Sequence, residues 1–513
     1  MIFDTSELSM PLRLKTDLCV VGTGPGGSMV AREAARAGLR VTMLEAGGFW
    51  TPADMTQRED EMFPKLFWEA GGRTNSDRSV KIHQGKGVGG SSLHNLNLCK
   101  RIPAAILSKW VRERGLESLE VQHWDALYEE VEALLEVSTV PASVRNRHNS
   151  LLERACGELG WSGGGLQHNR TGCIGSGFCE VGCAYDAKNN ALKKVLPEAI
   201  ERGSQVLTYC QVTRLDIQGG RLVGVFAQAL KTQSQQPFGE VYIETNAVAV
   251  CASATGTPAI LQRSDIPDPG GETGRSLRVH PAVVVAGDFE DPVRAWQGIP
   301  QSYECTEFLE FEESSNEDSH RLWIVPAFAH PVGTATMLPG MGDFHGDQMS
   351  RYAHLAILTA MLHDETQGSV RPRGDLGVEI DYWPNQADRR ELSLGLWACT
   401  KLLFAAGARS VLIPNDPTLM IRRGEDYSHL LDFEIGRGAL ELTAVHPMAS
   451  VPMGDDPRVA AVSSSGKHHH VEGVWVADAS LFPTSIGVPP QLSTYALGLH
   501  VGRGIARELT GVQ

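Results

Sequence analysis

A glycine-rich segment near the N-terminus has the spacing that binds the phosphates of a dinucleotide. From Asp17 the sequence runs Asp-Leu-Cys-Val-Val-Gly-Thr-Gly-Pro-Gly-Gly-Ser and ends at Ser28. An apolar run before the glycines predicts a strand, and the Ala-rich run after them predicts a helix. In such a unit Gly22 forms the tight turn, Gly24 lets the backbone approach the phosphates, and Gly27 lets helix and strand pack closely. The N–H groups at the start of the helix would then bind the pyrophosphate.

An acidic residue at the expected distance supports this interpretation. Residues 40–45 have the sequence Arg-Val-Thr-Met-Leu-Glu and predict the second strand of the unit. Glu45 at its end is placed to accept hydrogen bonds from ribose hydroxyls. A glycine-rich turn also occurs in unrelated α/β proteins. The preceding strand, the following helix and Glu45 together favour dinucleotide binding.

Length, composition and charge limit the classes of protein to which the chain can belong. Its 513 residues suffice for two or three domains, and 42% hydrophobic with 21% charged residues is typical of globular proteins. A formal net charge of −15 argues against nucleic acids and anionic membrane surfaces as partners. No apolar run approaches the ~20 residues that span a bilayer, and the N-terminus shows no secretory signal. The ten cysteines show no dense disulfide pattern, so we expect a cytoplasmic protein without a membrane span.

Two clusters of metal-binding residue types are not predicted to bind metal. Cys173, Cys179 and Cys183 are separated by five and then three residues, which fits neither paired zinc sites nor the usual iron–sulfur runs. Ordinary loop thiols, or a disulfide if oxidised, are the favoured interpretation. Three consecutive histidines at residues 468–470 point in divergent directions, and the polar residues before them predict an exposed turn.

Periodicity predicts both helices and sheet in the rest of the chain. Residues 124–135 and 389–406 have apolar positions at helical spacing. Residues 321–325 and 355–361 are suited to strands and are bounded by Gly, Pro and Asp. Nucleotide-binding signals occur in three separated pieces. We therefore predict an α/β fold, α+β overall, in which a discontinuous Rossmann-like domain carries an inserted domain with an antiparallel sheet flanked by helices.

Five segments, in the expected order, resemble the glucose–methanol–choline (GMC) oxidoreductase family. The segment from Gly172 to Lys188 is most similar to a Cys-containing stretch of bacterial relatives of long-chain alcohol oxidases and cholesterol oxidases. One signature departs from the family at Asp265, where a glycine is usual. The five segments are the N-terminal fingerprint ending Leu-Glu-Ala-Gly-Gly at residues 44–48, Gly-Lys-Gly-Val-Gly-Gly-Ser-Ser-Leu-His-Asn at 85–95, Ser-Ala-Thr-Gly-Thr-Pro-Ala-Ile-Leu-Gln-Arg-Ser at 253–264, Gly-Arg-Ser-Leu-Arg-Val-His-Pro at 274–281, and a C-terminal block with matches at 445–448, 476–484 and 487–492.

The resemblance implies FAD as the cofactor and oxidation of a CH–OH group of a small or medium organic alcohol, with hydride transfer to flavin N5. The electron acceptor would be oxygen, or a quinone or other carrier, and we expect a monomer or small homo-oligomer. The expected division of the chain is FAD-binding at 1–103, a helical and loop segment covering the flavin and active site at 104–195, FAD-binding at 196–285, substrate-binding at 286–435, and FAD-binding with the active-site histidine at 436–513.

The resemblance assigns His446, in Val-His-Pro-Met, as the catalytic base. A neutral imidazole can take the alcohol proton near neutral pH; the alternative is a histidine that only ends a loop before Pro447. Pro489 stands where the family's second polar residue, an Asn or His, is expected. Three interpretations follow: another residue supplies the second polar contact, His446 acts alone, or the chemistry is non-oxidative, as in a lyase or a light-driven decarboxylase.

His94 matches a Gly-Gly-x-x-x-His pattern through which some relatives attach FAD covalently. The alternative is a histidine packed or hydrogen-bonded near a non-covalent flavin. The resemblance also implies cofactor contacts from a loop, from the backbone of one strand, and from the C-terminal block. These residues are Gly89, Gly90, Ser91, Ser92 and Asn95 beside the flavin or pyrophosphate, Val212 at the adenine, Asp478 and Ala479 beside the ribityl and pyrophosphate, and Gln491 facing the flavin.

Overall fold

The computed structural model describes residues 1–311, 319–328 and 330–511. Its α-helices within those ranges are spread along the whole chain. They are α1 (Pro25–Arg36), α2 (Glu59–Leu66), α3 (Ala104–Arg114), α4 (Val121–Leu135), α5 (Arg147–Leu159), α6 (Ala191–Lys194), α7 (Leu196–Glu201), α8 (Ser253–Arg263), α9 (Pro331–Met337), α10 (Gly342–Ser350), α11 (Gln386–Ala405) and α12 (Gln491–Thr510).

The strands of the described residues form two large sheets, one four-stranded sheet and two small ribbons. They are β1 (Ile2–Asp4), β2 (Leu12–Lys15), β3 (Leu18–Val21), β4 (Val41–Leu44), β5 (Val80–Ile82), β6 (Val137–Thr139), β7 (Gly163–Gly165), β8 (Gln167–Asn169), β9 (Gln205–Thr208), β10 (Cys210–Gln218), β11 (Arg221–Leu230), β12 (Pro237–Glu244), β13 (Val248–Val250), β14 (Pro281–Asp288), β15 (Tyr303–Cys305), β16 (Leu322–Pro326), β17 (Leu355–Leu362), β18 (Ser369–Arg373), β19 (Gly377–Asp381), β20 (Ser410–Ile413), β21 (Leu419–Arg422), β22 (Leu442–Ala444) and β23 (Val474–Val476).

A six-stranded parallel sheet contains the predicted nucleotide-binding unit. Its strand order is β1-β9-β4-β3-β13-β23, and every neighbouring pair is parallel. The residues of β3, β4 and β13 are all buried, as expected for strands whose two faces are both covered. The predicted strand, helix and second strand are β3, α1 and β4. Strands from three distant parts of the sequence thus complete one sheet.

A larger, mainly antiparallel sheet forms the second main part of the fold. Its path is β21-β20-β14-β17-β16-β15-β7, with β22 and β5 attached beside β14. Helix α11 packs closely on it, since a Cβ at Gly395 would lie 2.8 Å from the Cβ of Ala360. This helix begins three residues before the predicted start because the Asn385 side chain caps it by accepting from the Asp388 N–H. The predicted α/β class with an antiparallel sheet is confirmed.

The described helices include none with the length and apolarity that crossing a bilayer requires.

The C-terminal helix α12 lies against α1 at a glycine contact that predicts a stability effect. A Cβ at Gly498 would lie 2.6 Å from the carbonyl oxygen of Gly26, whereas a Cβ at Gly504 would meet no atom of the described residues within 4 Å apart from its own helix and chain neighbours. We expect Gly498→Ala to lower the free energy of unfolding by about 1–3 kcal/mol, because the added methyl forces the two helices apart. The measurement is the urea midpoint of the purified protein.

Gly504→Ala is the matched control, since it makes the same change in the same helix. It should leave stability unchanged or raise it by up to about 1 kcal/mol, the difference in helix propensity. Equal midpoints for the two variants would contradict the tight contact.

Candidate active site

One cavity of about 480 Å³ joins the parallel sheet to the larger antiparallel sheet. At one end it is lined by Gly22 and Glu45, which follow β3 and β4. Elsewhere its wall includes Ala282 of β14 and Met361 of β17. The carboxyl ends of parallel strands are where open α/β sheets bind ligands. The cavity therefore connects a nucleotide-type site with the surface of the second sheet.

The glycine-rich turn has the backbone shape that its sequence predicts. Gly22 has a φ of +95°, and a Cβ there would lie 2.3 Å from the carbonyl oxygen of Cys251. At Gly24 the only atom within 4 Å of a Cβ would be the Cα of Gly90, so the backbone is open toward the cavity. Gly27 does not line the cavity; a Cβ there would lie 2.1 Å from the Gly22 carbonyl oxygen. No described side chain caps α1, which leaves its first N–H groups free for an anion.

Glu45 lies in the cavity wall and also holds the surrounding loops together. One carboxylate oxygen accepts from the N–H and hydroxyl of Thr23 at 3.1 and 2.6 Å. The other accepts from the N–H groups of Gly47 and Gly87, both at 3.0 Å. A carboxylate offers about four acceptor positions. Glu45 thus fixes the glycine turn to the following loops, and its contact with ribose stays a prediction.

The loop predicted to lie beside the flavin lines the cavity with Gly90, Ser91 and Asn95, whereas Gly89 lies outside the lining. Asn95 Nδ2 donates to Gln491 Oε1 at 2.6 Å, which joins the loop to the first residue of α12. Three further predicted contacts also line the cavity; they are Ser92, Val212 and Ala479.

Asp478 lines the cavity, but its carboxylate is already bonded to the protein. It accepts from the Ser253 and Ser480 N–H groups, both at 2.8 Å, and from the Thr257 hydroxyl at 2.6 Å. Burial raises the pKa of Asp478 above its ordinary value. These bonds make Asp478 a residue that orders the start of α8 next to the cavity.

His94 is buried in the cavity wall with one nitrogen unused. Its Nε2 has no hydrogen-bond partner among the described residues. The ring packs against Phe67 with centroids 4.0 Å apart, and Gly85 makes room for it, since a Cβ there would lie 2.3 Å from Nε2. Burial lowers the pKa of His94 well below its ordinary value. His94 therefore presents a neutral imidazole to the space where the resemblance places the flavin.

His446 is hydrogen-bonded to a second histidine, His280, in the cavity wall. Their Nδ1 atoms are 3.0 Å apart, and both residues line the cavity. Burial lowers the pKa of His446 to about 3. Burial, together with His446 and His363, also lowers the pKa of His280 well below its ordinary value. Both rings are thus neutral at neutral pH.

A single proton lies between the two Nδ1 atoms, because one must donate and the other accept. If His446 donates, its Nε2 carries the lone pair that a base needs. His280 Nε2 is buried and has no partner among the described residues. The pair can therefore present a base at His446 Nε2.

The sequence prediction missed His280, although the sequence contained a signal. The tripeptide Val-His-Pro occurs twice, at residues 279–281 and 445–447. Pro489 lines the cavity together with both histidines. Hence the cavity that Pro489 lines also contains a second imidazole, which comes from the residue just before β14.

Lys188 was also not predicted as a site residue. Its buried ammonium donates to the carbonyls of Leu93, Asn95 and Cys179 at 2.9, 2.6 and 2.9 Å. Burial lowers the pKa of Lys188 to about 8. Lys188 ties the cysteine-containing segment to the loop that carries His94.

The structure places the three cysteines together at one pocket and buries His468 of the histidine run. Cys173, Cys179 and Cys183 border one small pocket as free thiols. The described residues contain no group of three or more His, Cys, Asp or Glu that could hold a metal ion. The expected exposed turn at residues 468–470 was wrong for His468, which is 3% exposed because its segment packs against the strand that ends the parallel sheet.

Two family descriptions, both of GMC oxidoreductases, match residues 63–282 and 365–498. An uncharacterized GMC-type oxidoreductase of Mycobacterium tuberculosis is 34% identical over 512 residues, covering 98% of this chain and 78% of the relative. A long-chain-alcohol oxidase of Arabidopsis thaliana is 26% identical, covering 97% and 69%. The named long-chain-alcohol oxidases are thus plant proteins, not the bacterial ones that the sequence comparison suggested.

Among solved structures, pyridoxine 4-oxidase from Mesorbium loti has a TM-score of 0.71 at 18% identity, covering 95% of this chain and 98% of its own. Formate oxidase from Aspergillus oryzae has a TM-score of 0.69 at 14% identity, covering 98% and 99%. At these identities the similarity concerns the fold. The family match and the 34% identical relative establish more: the chain is an FAD-dependent oxidoreductase of the GMC family.

Proposed function

We propose that this protein oxidises the CH–OH group of an organic alcohol to a carbonyl, with His446 as the base. The observation that carries the proposal is the His446–His280 pair, which lines the same cavity as the glycine-rich turn and Glu45. Bound FAD supplies the hydride acceptor for such a reaction. The open backbone at Gly24 and the free N–H groups of α1 fit its pyrophosphate.

The two histidines have different roles in removing the hydroxyl proton of the alcohol. In the productive tautomer, the Nδ1–H of His446 donates a hydrogen bond to His280 Nδ1, and His446 Nε2 carries a free lone pair. Nε2 then accepts the hydroxyl proton of the alcohol as the C–H bond breaks. His280 keeps the ring of His446 oriented and stabilises the imidazolium by accepting from its Nδ1–H. The surrounding protein excludes water, which strengthens these interactions.

The wall beyond the histidine pair favours an alcohol with an apolar body. Ala282, Val284 and Ala286 of β14 face the cavity, as do Ile357 and Met361 of β17. Contact with such a wall stabilises apolar substrate surface at about 25 cal/mol per Å². Long-chain-alcohol oxidases among the relatives are consistent with this class of substrate. Oxygen or a quinone-type carrier would take up the electrons afterwards.

The test is anaerobic mixing of the purified holoprotein with primary, secondary, cyclic and sugar alcohols while the flavin absorbance is followed. Bleaching by one class, with formation of the matching carbonyl, supports the proposal and names the substrate class. The proposal would be contradicted if dithionite bleaches the flavin and none of the alcohols does.

Pro489 keeps a second candidate function open. Non-oxidative chemistry, either a lyase reaction or light-driven decarboxylation, does not require reduction of the flavin by the substrate. Pro489 lines the cavity without offering a polar side chain. If no alcohol reduces the flavin, this second function becomes the preferred one. Carbon–carbon cleavage of hydroxynitriles, or carbon dioxide release from fatty acids under blue light, would then be measured.

We also propose that FAD is attached covalently through His94, whose neutral Nε2 is unpartnered among the described residues. The expected result is that acid-precipitated protein keeps its yellow colour, and that His94→Ala releases it. Phe67→Leu is the matched control, because it alters the packing of the ring without removing the nitrogen. Complete release of colour from the unmodified protein would end this proposal.

A further inference from the structure

Three polar side chains without partners line the cavity apart from the histidine pair. His330 is 2% exposed and, although the Gly177 backbone lies near the ring, neither ring nitrogen has a partner in hydrogen-bond geometry within the described residues. The same holds for the hydroxyl of Thr334, which is 4% exposed. The carboxylate of Glu180 lines the same cavity and has no hydrogen bond or ion pair to a described residue. Buried polar groups of this kind are costly unless something binds them.

The register of the sheet separates His330 from the histidine pair. Ala282, two residues after His280, pairs with Met361 of β17. Pro326, the last residue of β16, pairs with β17 three residues further along, which is about 10 Å at the usual strand rise. His330 lies four residues beyond Pro326. Ala327 and Leu338, which precede and follow His330 in the sequence, pack with Ala286 and Leu355, at the end of β14 and β17 that is farther from His280.

Glu180 and His330 approach each other through shared neighbours. The ring of Phe178 stacks on His330 with centroids 4.8 Å apart, and Glu180 follows two residues later. The Glu59 carboxylate accepts from the N–H groups of residues 332 and 333. Its charge is also close enough to Glu180 to raise the pKa of that carboxyl. One turn of α9 then places Thr334 on the same wall.

The side chains of this group are mainly uncharged near neutral pH. Burial, with a contribution from Glu59, raises the pKa of Glu180 to about 8. Burial lowers the pKa of His330 to about 4, although the Gly177 carbonyl acts in the opposite direction. The nearby Lys188 already donates to three carbonyls. Near neutral pH the group therefore combines hydrogen-bond donors with acceptors, which suits a hydroxyl, and it can take an ammonium when Glu180 gives up its proton.

The wall between the two ends is mainly apolar; Thr359 of β17 is polar, but its hydroxyl donates to the Val283 carbonyl at 3.2 Å. Alternate residues of β14 and β17 face the cavity, and Leu338 packs with Leu355 and Ile357 at its far end. A ligand that reaches both ends would therefore have polar groups at its two termini and an apolar chain between them.

We propose that Glu180, His330 and Thr334 form a distal subsite that binds a hydrogen-bond donor, a hydroxyl or an ammonium, at the far end of a long alcohol substrate. This inference rests on the proposed alcohol oxidation. The preferred substrates are then α,ω-diols or ω-amino alcohols rather than simple alkanols.

The test is anaerobic flavin reduction by three series of linear compounds of increasing chain length: 1-alkanols, α,ω-diols and ω-amino alcohols. At the matching length, the dissociation constant of the diol or the amino alcohol should be about tenfold lower than that of the alkanol, as expected for one buried hydrogen bond. A preference for amino alcohols identifies an ammonium, and a preference for diols identifies a hydroxyl.

Glu180→Gln and Thr334→Val keep the side-chain shape and test the subsite directly. Glu180→Gln should abolish a preference for amino alcohols, and Thr334→Val should reduce a preference for diols. Glu240→Gln, at an exposed residue outside the cavity, should change neither. Equal dissociation constants for the three series, or a preference that survives both variants, would overturn the subsite.

A binding measurement separates failure of the subsite from failure of the proposed function. If no alcohol reduces the flavin, calorimetric titration with linear alkylamines and diols still reports on the subsite. Binding that is lost in Glu180→Gln or Thr334→Val supports it, and absence of binding in the unmodified holoprotein refutes it.

Discussion

Replacing His446 with alanine is expected to slow anaerobic reduction of the flavin by the best alcohol about 10²–10⁴-fold, the usual contribution of a positioned base. The reason is that the hydroxyl proton would have no acceptor as the C–H bond breaks. Flavin content should stay unchanged, because His446 takes no part in the hydrogen bonds by which Glu45 holds the glycine-rich turn. Stopped-flow absorbance of the flavin measures the rate directly.

The control for His446→Ala is His429→Ala, which removes an exposed imidazole outside the cavity. It should reduce the flavin at the unmodified rate. A His446→Ala variant that binds flavin normally and keeps full turnover would refute the assignment of the base. Loss of flavin from this variant would instead mean that His446 holds the cofactor site together.

The pH dependence of the same rate follows from the low pKa of His446. A base must be deprotonated to act, and burial holds the pKa of His446 at about 3, below the ordinary 6.5. The imidazole of His446 is therefore fully deprotonated well above pH 3, and the reduction rate falls only as the pH decreases toward that value. We expect a flat reduction rate from about pH 5 to pH 8 instead of an inflection near 6.5. An inflection at 6.5 would show that substrate or flavin restores the ordinary pKa.

The nucleotide-binding unit could be predicted from sequence because its constraints are local. Gly22 needs a positive φ, Gly27 must be small where helix and strand touch, and Glu45 ends the next strand. Asp265 is a related case: it stands in place of the family's usual glycine and has a φ of +49°, a conformation that Asp tolerates better than most residues. Backbone requirements of this kind appear directly in residue type and spacing.

The rest of the site depends on contacts between distant parts of the chain. His280 and His446 are 166 residues apart, and Glu180 and His330 come from two different segments. Neither periodicity nor spacing shows which of 17 histidines meet in space. The repeated Val-His-Pro was a signal, but only the pairing of β14 with β22 brings its two copies together.

The backbone of His280 indicates that its position is under functional constraint. It has a φ of +57°, which is uncommon for a residue other than glycine, and it is fully buried. The N–H groups of Val279 and His280 donate to the buried carboxylate of Asp364 at 3.1 and 3.3 Å. Such strain persists only where the surrounding structure fixes it, and it is concentrated at functional sites.

His280→Ala is therefore expected to lower the maximal rate of flavin reduction about 10–100-fold while the dissociation constant of the alcohol stays nearly unchanged. The loss corresponds to one hydrogen bond to a charged imidazolium, about 1.5–3 kcal/mol. His280→Gln should recover part of the rate, because its amide oxygen can accept from His446 Nδ1–H. A purely structural role would instead raise the dissociation constant, release flavin, or leave the glutamine variant as slow as the alanine variant.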